Sequence, residues 1–337
     1  MQKLVNKEST KKFNELLKEV KQIAIFTHMN PDGDAIGSAL AFQMAMFEKS
    51  IKSQIFIANE IPESLEWMAG ANNISTNATQ KDAEQYIHNT DLIVCLDFNE
   101  PERIGDLAPV LRHQALPVLV IDHHPKSFDY KGLEITTTEA SSTSELLFWL
   151  LKESKLLVKT REFAECLYTG IVTDTGSFAY NSSSPSTFMA VAELLEIGFD
   201  KDKVNDLVFQ QFQAQRMKLL GHMLANRMII MGEQKTAYTY LTKNDLEEYN
   251  FTPGDTEGFV NYPLSIAGIK FTANFIEKED EIKISFRSKG NFAANEFAKR
   301  FFNGGGHLNA AGGRSQVALD ETLKRFEELV KKHVNEF

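Results

Sequence analysis

Three short apolar runs in this chain each end on acidic or imidazole side chains, and no other feature restricts the fold as tightly. Ile23-Ala24-Ile25-Phe26-Thr27 ends at His28, with Asp32 and Asp34 just beyond. Leu92-Ile93-Val94-Cys95-Leu96 ends at Asp97, and Val118-Leu119-Val120-Ile121 at Asp122-His123-His124. β-Branched runs without polar alternation read as strands buried on both faces, the habit of parallel sheets. Open α/β sheets gather function at the carboxyl ends of their strands. Carboxylates and imidazoles converging there repel one another unless cations neutralise them, so the pattern points to a metal site with two ions.

Between these runs the sequence predicts an amphipathic helix over 9–20, helices over 35–47, 81–88, 144–153 and 161–173, and a strand over 54–58. The alternation predicts an α/β domain, a doubly wound and mostly parallel sheet. Pro185 opens a further helix to Glu196, which Gly198 stops. Residues 202–231 contain no Pro and read as mostly helical, a stiff connector. Strands over 236–241, 268–275 and 281–286, a helix over 292–301, glycines at 304–306 and a closing helix over 319–334 then predict a smaller α+β domain. The expected division is 1–205, a helical linker over 206–232, and 233–337, with a cleft between the two domains.

At 337 residues the chain exceeds one ordinary core, which agrees with two domains. A net charge of -10 argues against riding long duplex DNA, but bound cations and a few Arg or Lys residues can reverse the sign locally for a small anion. Cys95 and Cys166 fall in a predicted strand and helix and read as packing residues. The first residues lack the apolar core of a signal peptide, and no apolar stretch reaches the roughly 20 residues that span a bilayer. The expectation is a cytoplasmic enzyme without a membrane partner.

The richest motif is His28-Met29-Asn30-Pro31-Asp32-Gly33-Asp34, in which His28, Asp32 and Asp34 lie on one turn. Asp34 also reads as an N-cap of the following helix. The donor types suit Mn2+, Mg2+ or Fe2+ better than a structural zinc. A lone strand-end carboxylate such as Asp97 commonly forms a turn, but its two oxygens are what a bridging ligand requires. Adjacent imidazoles after Asp122 are hard to explain by packing. One of them can bind metal while an acid orients it, and the other can face substrate. Asp174, in Thr173-Asp174-Thr175-Gly176, supplies a further carboxylate. Gly304, Gly305 and Gly306 free the backbone to approach an anion, with His307 as an added donor. Arg287, followed by Ser288, offers a guanidinium suited to phosphate. His88, His113, His222 and His333 lie outside these motifs and read as exposed or structural, and the 25 Phe as mostly core.

The ordered set His-x-x-x-Asp-x-Asp, a strand-end Asp, Asp-His-His and a later Asp resembles the DHH phosphoesterase family. Asn303-Gly304-Gly305-Gly306-His307 through Gly313 is similar to the signature of its associated substrate-binding domain. The resemblance spans nearly the whole chain. It extends to the compact branch that degrades nanoRNA and dephosphorylates 3′-phosphoadenosine-5′-phosphate (pAp). It implies two divalent cations, Mn2+, with Mg2+ or other divalent ions as alternatives. His28, Asp32 and Asp97 would hold one; Asp34, Asp97, His123 and Asp174 the other, with Asp97 bridging. His124 would contact the scissile phosphate, with Asp122 behind it. Arg287, Ser288, Gly304, Gly305, Gly306 and His307 would hold the rest of the nucleotide. The implied substrates are short RNA oligonucleotides, dinucleotides or pAp, without stable duplex DNA binding and with a homodimer left open. The competing readings are a phosphodiesterase for linear or cyclic signalling dinucleotides (pApA, pGpG, c-di-AMP), a pyrophosphatase of the same family, and a nucleotide-binding module without catalysis.

Overall fold

The computed structural model describes residues 4–112, 115–252 and 254–333, so His113 and Val334 lie outside the described residues. The chain falls into two compact units, Met1–Gln211 and Phe212–Phe337.

The first unit runs α1 (Lys7–Leu16), β1 (Gln22–Thr27), α2 (Gly33–Glu48), β2 (Lys52–Phe56), α3 (Gln80–Ile87), β3 (Leu92–Leu96), α4 (Ala108–Arg112), β4 (Val118–Asp122), β5 (Gly132–Thr136), α5 (Thr143–Glu153), α6 (Arg161–Asp174), α7 (Pro185–Glu196) and α8 (Lys201–Phe209). Its five strands lie in the order β2-β1-β3-β4-β5, with every pairing parallel. The apolar runs are continuous because both faces are covered. Ile23, Ile25, Val94 and Ile121 enter the core shared with α2, α5 and α6, whereas Ala24, Phe26, Cys95 and Val120 pack with Ala83, Ile87 and Val110 of α3 and α4. The strand order reverses between β1 and β3, and a doubly wound sheet binds ligands at such a switch point.

Helices α2 and α6 meet backbone to backbone. A Cβ on Gly37 would stand 2.3 Å from the Cys166 carbonyl oxygen, and one on Gly170 would stand 2.7 Å from Asp34 Oδ1. Glycine at these two positions is what lets the helices approach and brings the start of α2 to the end of α6.

Several expectations need correction. Helix α2 is capped by Asp32, whose Oδ1 accepts from the Asp34 and Ala35 amides at 3.0 and 3.1 Å, so Asp34 is a buried residue inside the first turn rather than the N-cap. Strand β2 begins two residues early because Lys52 pairs with Gln22. Strand β5, half-exposed at the sheet edge, was not anticipated from Gly-Leu-Glu-Ile-Thr. The stretch 202–231 is mostly helical, as expected, but interrupted: α8 ends at Phe209, α9 occupies Ala214–Asn226, and β6 (Met228–Met231) instead pairs antiparallel with β7 (Thr236–Leu241). Its Met-Ile-Ile-Met sequence satisfies a sheet edge, which overrides its helical reading.

The second unit continues with α10 (Lys243–Glu248), α11 (Asn261–Leu264), β8 (Phe271–Glu277), β9 (Ile282–Ser288), α12 (Ala294–Phe301), β10 (Gly305–His307), β11 (Ala310–Ser315) and α13 (Leu319–His333). Its six strands lie in the order β10-β11-β9-β8-β7-β6, parallel only between β7 and β8. Phenylalanines 271, 275, 286, 297, 302 and 326 fill the core, as expected. The glycine cluster is not an open loop. Gly305 pairs with Gly312 and Gly306 with Ala311 in a hairpin. A Cβ at Gly304 would lie 1.9 Å from the Gly312 carbonyl oxygen, and Gly306 holds φ +139°, so tight strand contact accounts for both. Among the described residues no helix is long and apolar enough to cross a membrane.

Candidate metal centre

The carboxyl ends of β1, β3 and β4, with the end of α6, bring together six side chains expected to meet. His28, Asp34, Asp97 and His123 are buried, while Asp32 is exposed and Asp174 partly buried. His28 Nε2 lies 3.4 Å from Asp97 Oδ2 and 3.9 Å from Asp32 Oδ1. His123 Nε2 lies 3.6 Å from Asp97 Oδ1, 3.4 Å from Asp174 Oδ2 and 3.9 Å from Asp34 Oδ2. Donor atoms of His28, Asp32 and Asp97 fall within 4.8 Å of one another, as do those of Asp34, His123 and Asp174. Asp97 thus turns one oxygen to each group. Its φ of +66° places it in the left-handed region, which is uncommon for a residue with a side chain.

These groups fit divalent cations on physical grounds. Burial drives the Asp97 carboxyl well above the ordinary carboxylate range, and the nearby Asp34, Asp32, Asp122 and Asp174 push it further. Burial also raises Asp34, against the pull of His123. Like charges about 4 Å apart cost about 4 kcal/mol at an effective dielectric constant of about 20. His28 points the same way. Its Nδ1 lies 3.0 Å from the Met29 carbonyl oxygen, which can only accept, so Nδ1 carries the proton. Burial lowers the pKa of this imidazole and so favours its neutral form, whose Nε2 lone pair faces the Asp97 carboxyl. A cation relieves that contact, and oxygen and imidazole donors without thiolate suit Mn2+ or Mg2+.

His124 borders the cluster: its Nδ1 lies 3.7 Å from Asp97 Oδ1, and its donor falls within 4.8 Å of those of Asp97 and His123. Its Nδ1 lies 2.7 Å from Asp122 Oδ1 and its amide donates to the same oxygen at 3.2 Å. Burial alone would raise Asp122, but His124, His123 and Asn99 outweigh it and hold the carboxyl at about 2. Asp122 is therefore an anion that fixes the ring of a quarter-exposed imidazole.

Several residues of the centre escaped sequence reasoning. The N-terminus of α5 grips two of the carboxylates: the Thr143 and Ser144 amides donate to Asp34 at 2.6 and 2.8 Å, and the Thr143 hydroxyl to Asp97 Oδ1 at 2.9 Å. Asn99 donates to Asp122 and accepts from the Ser127 amide, tying β3 to the turn after β4. The polar run Ser141-Ser142-Thr143-Ser144 ahead of an apolar helix was the available signal, and it reads as ordinary capping.

The six residues expected to hold substrate sit in the second unit. Arg287 on β9 pairs with Ala310 and donates from Nη1 to the Phe286 carbonyl at 2.9 Å. Ser288 is buried; it donates to the Phe292 carbonyl at 2.7 Å and accepts from Asn309 at 2.8 Å, so its donor is already committed. Gly304 donates its amide to the Ala298 carbonyl at 3.2 Å, a helix-ending bond rather than a free anion donor. Gly305 and Gly306 lie in β10, and the His307 backbone pairs with Ala310. Outside these groups, His88 is exposed, His333 is buried, and His222 pairs with Asp245 at 2.9 Å.

The fold and the cluster define an α/β unit with a carboxylate–imidazole centre at the switch point of its sheet. Residues 22–171 match the N-terminal domain of the DHH family and residues 233–333 the DHHA1 domain, and the chain belongs to the DHH family. It is 31% identical over 323 residues to a probable bifunctional oligoribonuclease and PAP phosphatase NrnA of Streptococcus mutans, covering 94% of this chain and 97% of that protein. It is 29% identical over 320 residues to the bifunctional oligoribonuclease and PAP phosphatase NrnA of Bacillus subtilis, covering 92% and 95%. The crystal structure of an exopolyphosphatase-related protein from Bacteroides fragilis matches with a TM-score of 0.93 and 36% identity over 99% of both chains.

Proposed function

We propose that this protein is a metal-dependent phosphoesterase that hydrolyses short oligoribonucleotides and pAp to mononucleotides, with Mn2+ as its metal. The observation that carries the reading is the divided geometry of Asp97, which faces His28 and Asp32 with one oxygen and His123 with the other. His28, Asp32 and Asp97 would hold one cation, and Asp34, Asp97, His123 and Asp174 the second. When bound, such ions lower the pKa of a water and offset charge on a phosphate.

The chain's own groups do the rest. Thr143 and Ser144 amides orient Asp34, and the Thr143 hydroxyl orients Asp97. Asp122 holds His124 with its Nδ1–H committed, so the ring presents its other nitrogen for a phosphate oxygen or a leaving group. Arg287 is the natural phosphate contact of the second unit, joined by the amides of Gly305 and Gly306 and by His307. Residues 1–205 would then carry the chemistry and 233–337 the grip on the nucleotide. Support comes from the NrnA relatives, which align over almost their full length.

The test is a product time course on pAp, pApA, pGpG, a short and a long RNA oligomer, and pyrophosphate, each with Mn2+ and with chelator. Mononucleotide release from pAp and short RNA, abolished by chelator, is expected. Hydrolysis confined to pApA or pGpG would favour the signalling-dinucleotide reading, and release from pyrophosphate alone would refute the assignment.

A further inference from the structure

Glu145, in the first turn of α5, is fully buried, yet among the described residues it forms no ion pair. It is instead saturated with hydrogen bonds. Its Oε2 accepts from the Ser141 amide at 2.9 Å, the Ser141 hydroxyl at 2.7 Å and the Thr187 hydroxyl at 2.8 Å, and its Oε1 accepts from the Ser186 hydroxyl at 2.7 Å. Burying a carboxylate without a countercharge costs several kcal/mol, and an apolar side chain would pack α5 against α7 without that cost. The four bonds therefore have to accomplish something that packing alone does not.

Their geometry says what. Ser141 opens the turn whose next members reach the metal centre: Thr143 and Ser144 donate to Asp34, and Thr143 to Asp97. Ser186 and Thr187 lie in the first turn of α7, which the chain reaches directly from Asp174 through 175–184. One carboxylate thus ties the turn that grips Asp34 and Asp97 to the segment that follows Asp174. We propose that Glu145 is a positioning residue for the metal centre, acting as an acceptor hub that sets the 141–144 turn and, through it, two of the carboxylates that face the cations. The proposal rests on the metal-binding reading above.

The bonds also separate geometry from charge. In Glu145→Gln the amide oxygen can keep the three donors on Oε2, while the amide nitrogen donates to Ser186, whose hydroxyl accepts in turn. In Glu145→Leu every donor loses its acceptor. Ser186→Ala/Thr187→Val removes only the α7 side, leaving Ser141 attached.

The probe is Mn2+ titrated calorimetrically into metal-stripped full-length protein, with the stripped melting temperature and far-UV spectrum recorded alongside. Groups that orient metal ligands typically account for about 10–100-fold in affinity. Glu145→Gln is expected to bind Mn2+ within about threefold of wild type. Folded Glu145→Leu should bind at least about tenfold more weakly, and Ser186→Ala/Thr187→Val about three- to tenfold more weakly. A purely structural role would lower the melting temperature and leave the Kd below the transition unchanged. Unchanged Mn2+ affinity in folded Ser186→Ala/Thr187→Val overturns the inference even if Glu145→Leu fails to fold. No Mn2+ uptake by wild type would overturn the metal reading, and this inference with it.

Discussion

Replacing Gly170 with alanine probes the α2–α6 contact at the point where packing and chemistry meet. The new Cβ would stand 2.0 Å from Ser144 Oγ, 2.7 Å from Ser144 Cβ and 2.7 Å from Asp34 Oδ1. Ordinary contact begins at 3.4 Å, so Asp34 Oδ1 and Ser144 Cβ must each retreat by about 0.7 Å (3.4 − 2.7). Rotating the Ser144 hydroxyl away is not enough, because its Cβ is also too close. Asp34 cannot move alone either, being held by the Thr143 and Ser144 amides. The turn and the carboxylate must shift together. Overpacking of this kind costs about 1–3 kcal/mol, and at about 2–4 °C per kcal/mol for a unit of this size the melting temperature should fall by about 2–12 °C. A misplacement approaching 1 Å beside the chemistry costs about 100-fold in rate. The assay is thermal melting together with Mn2+-dependent hydrolysis of pApA. Gly221→Ala is the control: it lies in α9 with nothing within 4 Å of the added Cβ, so it should gain about 0.5–1 kcal/mol. A Gly170→Ala protein that melts like wild type and keeps its kcat would refute the account of how Asp34 is placed.

Asp97→Asn should abolish Mn2+ uptake and turnover yet raise the melting temperature of the metal-stripped protein, because it removes a carboxyl whose charged form is disfavoured by burial and by four neighbouring carboxylates; Asn tolerates positive φ. A stripped variant melting below wild type would count against the repulsion. Arg287→Ala should raise KM for pApA while leaving hydrolysis of a small nitrophenyl phosphodiester nearly unchanged, and equal losses on both would remove the grip assigned to the second unit. Asp245 gives a pH signature. Burial would raise it, but Arg227 and Thr242 hold it at about 2, below its ordinary value of 3.8. A carboxyl depressed in the folded state stabilises above its unfolded pKa and loses that contribution as pH falls through about 2, a change of about 2 kcal/mol. Urea midpoints from pH 5 to pH 2 should therefore fall less steeply in Asp245→Asn.

The catalytic sheet was legible because its strands are apolar on both faces and each ends on a residue of a different chemical kind. Ile25 and Phe26, one on each face, carry the same message as Val94 and Cys95. The edge strand β5 was not legible, since Gly132 and Glu134 dilute its β pattern and only pairing with β4 makes it a strand. Strand β6 was misread for a related reason: Met-Ile-Ile-Met fits either period, and the β7 edge decides. At the centre, the clustered carboxylates and imidazoles announce themselves by residue type. Thr143, Ser144 and Glu145 do not, because caps elsewhere in the chain use the same hydroxyl and carboxylate chemistry, as Thr79 with Asp82 does in α3. The glycines at 304 and 306 were visible as a cluster, but nothing in their spacing distinguishes an anion cradle from a hairpin packed too closely for a Cβ.

On the two-cation reading proposed above, the divided carboxylate of Asp97 has a thermodynamic consequence. Two guests that share one host group cannot settle independently. The first to arrive spends part of the negative charge that would have attracted the second, while freezing the common anchor in the orientation the second requires. Occupancy should thus follow a curve that two equal, unlinked steps fail to describe, with its steepness set by which of these opposing effects is larger.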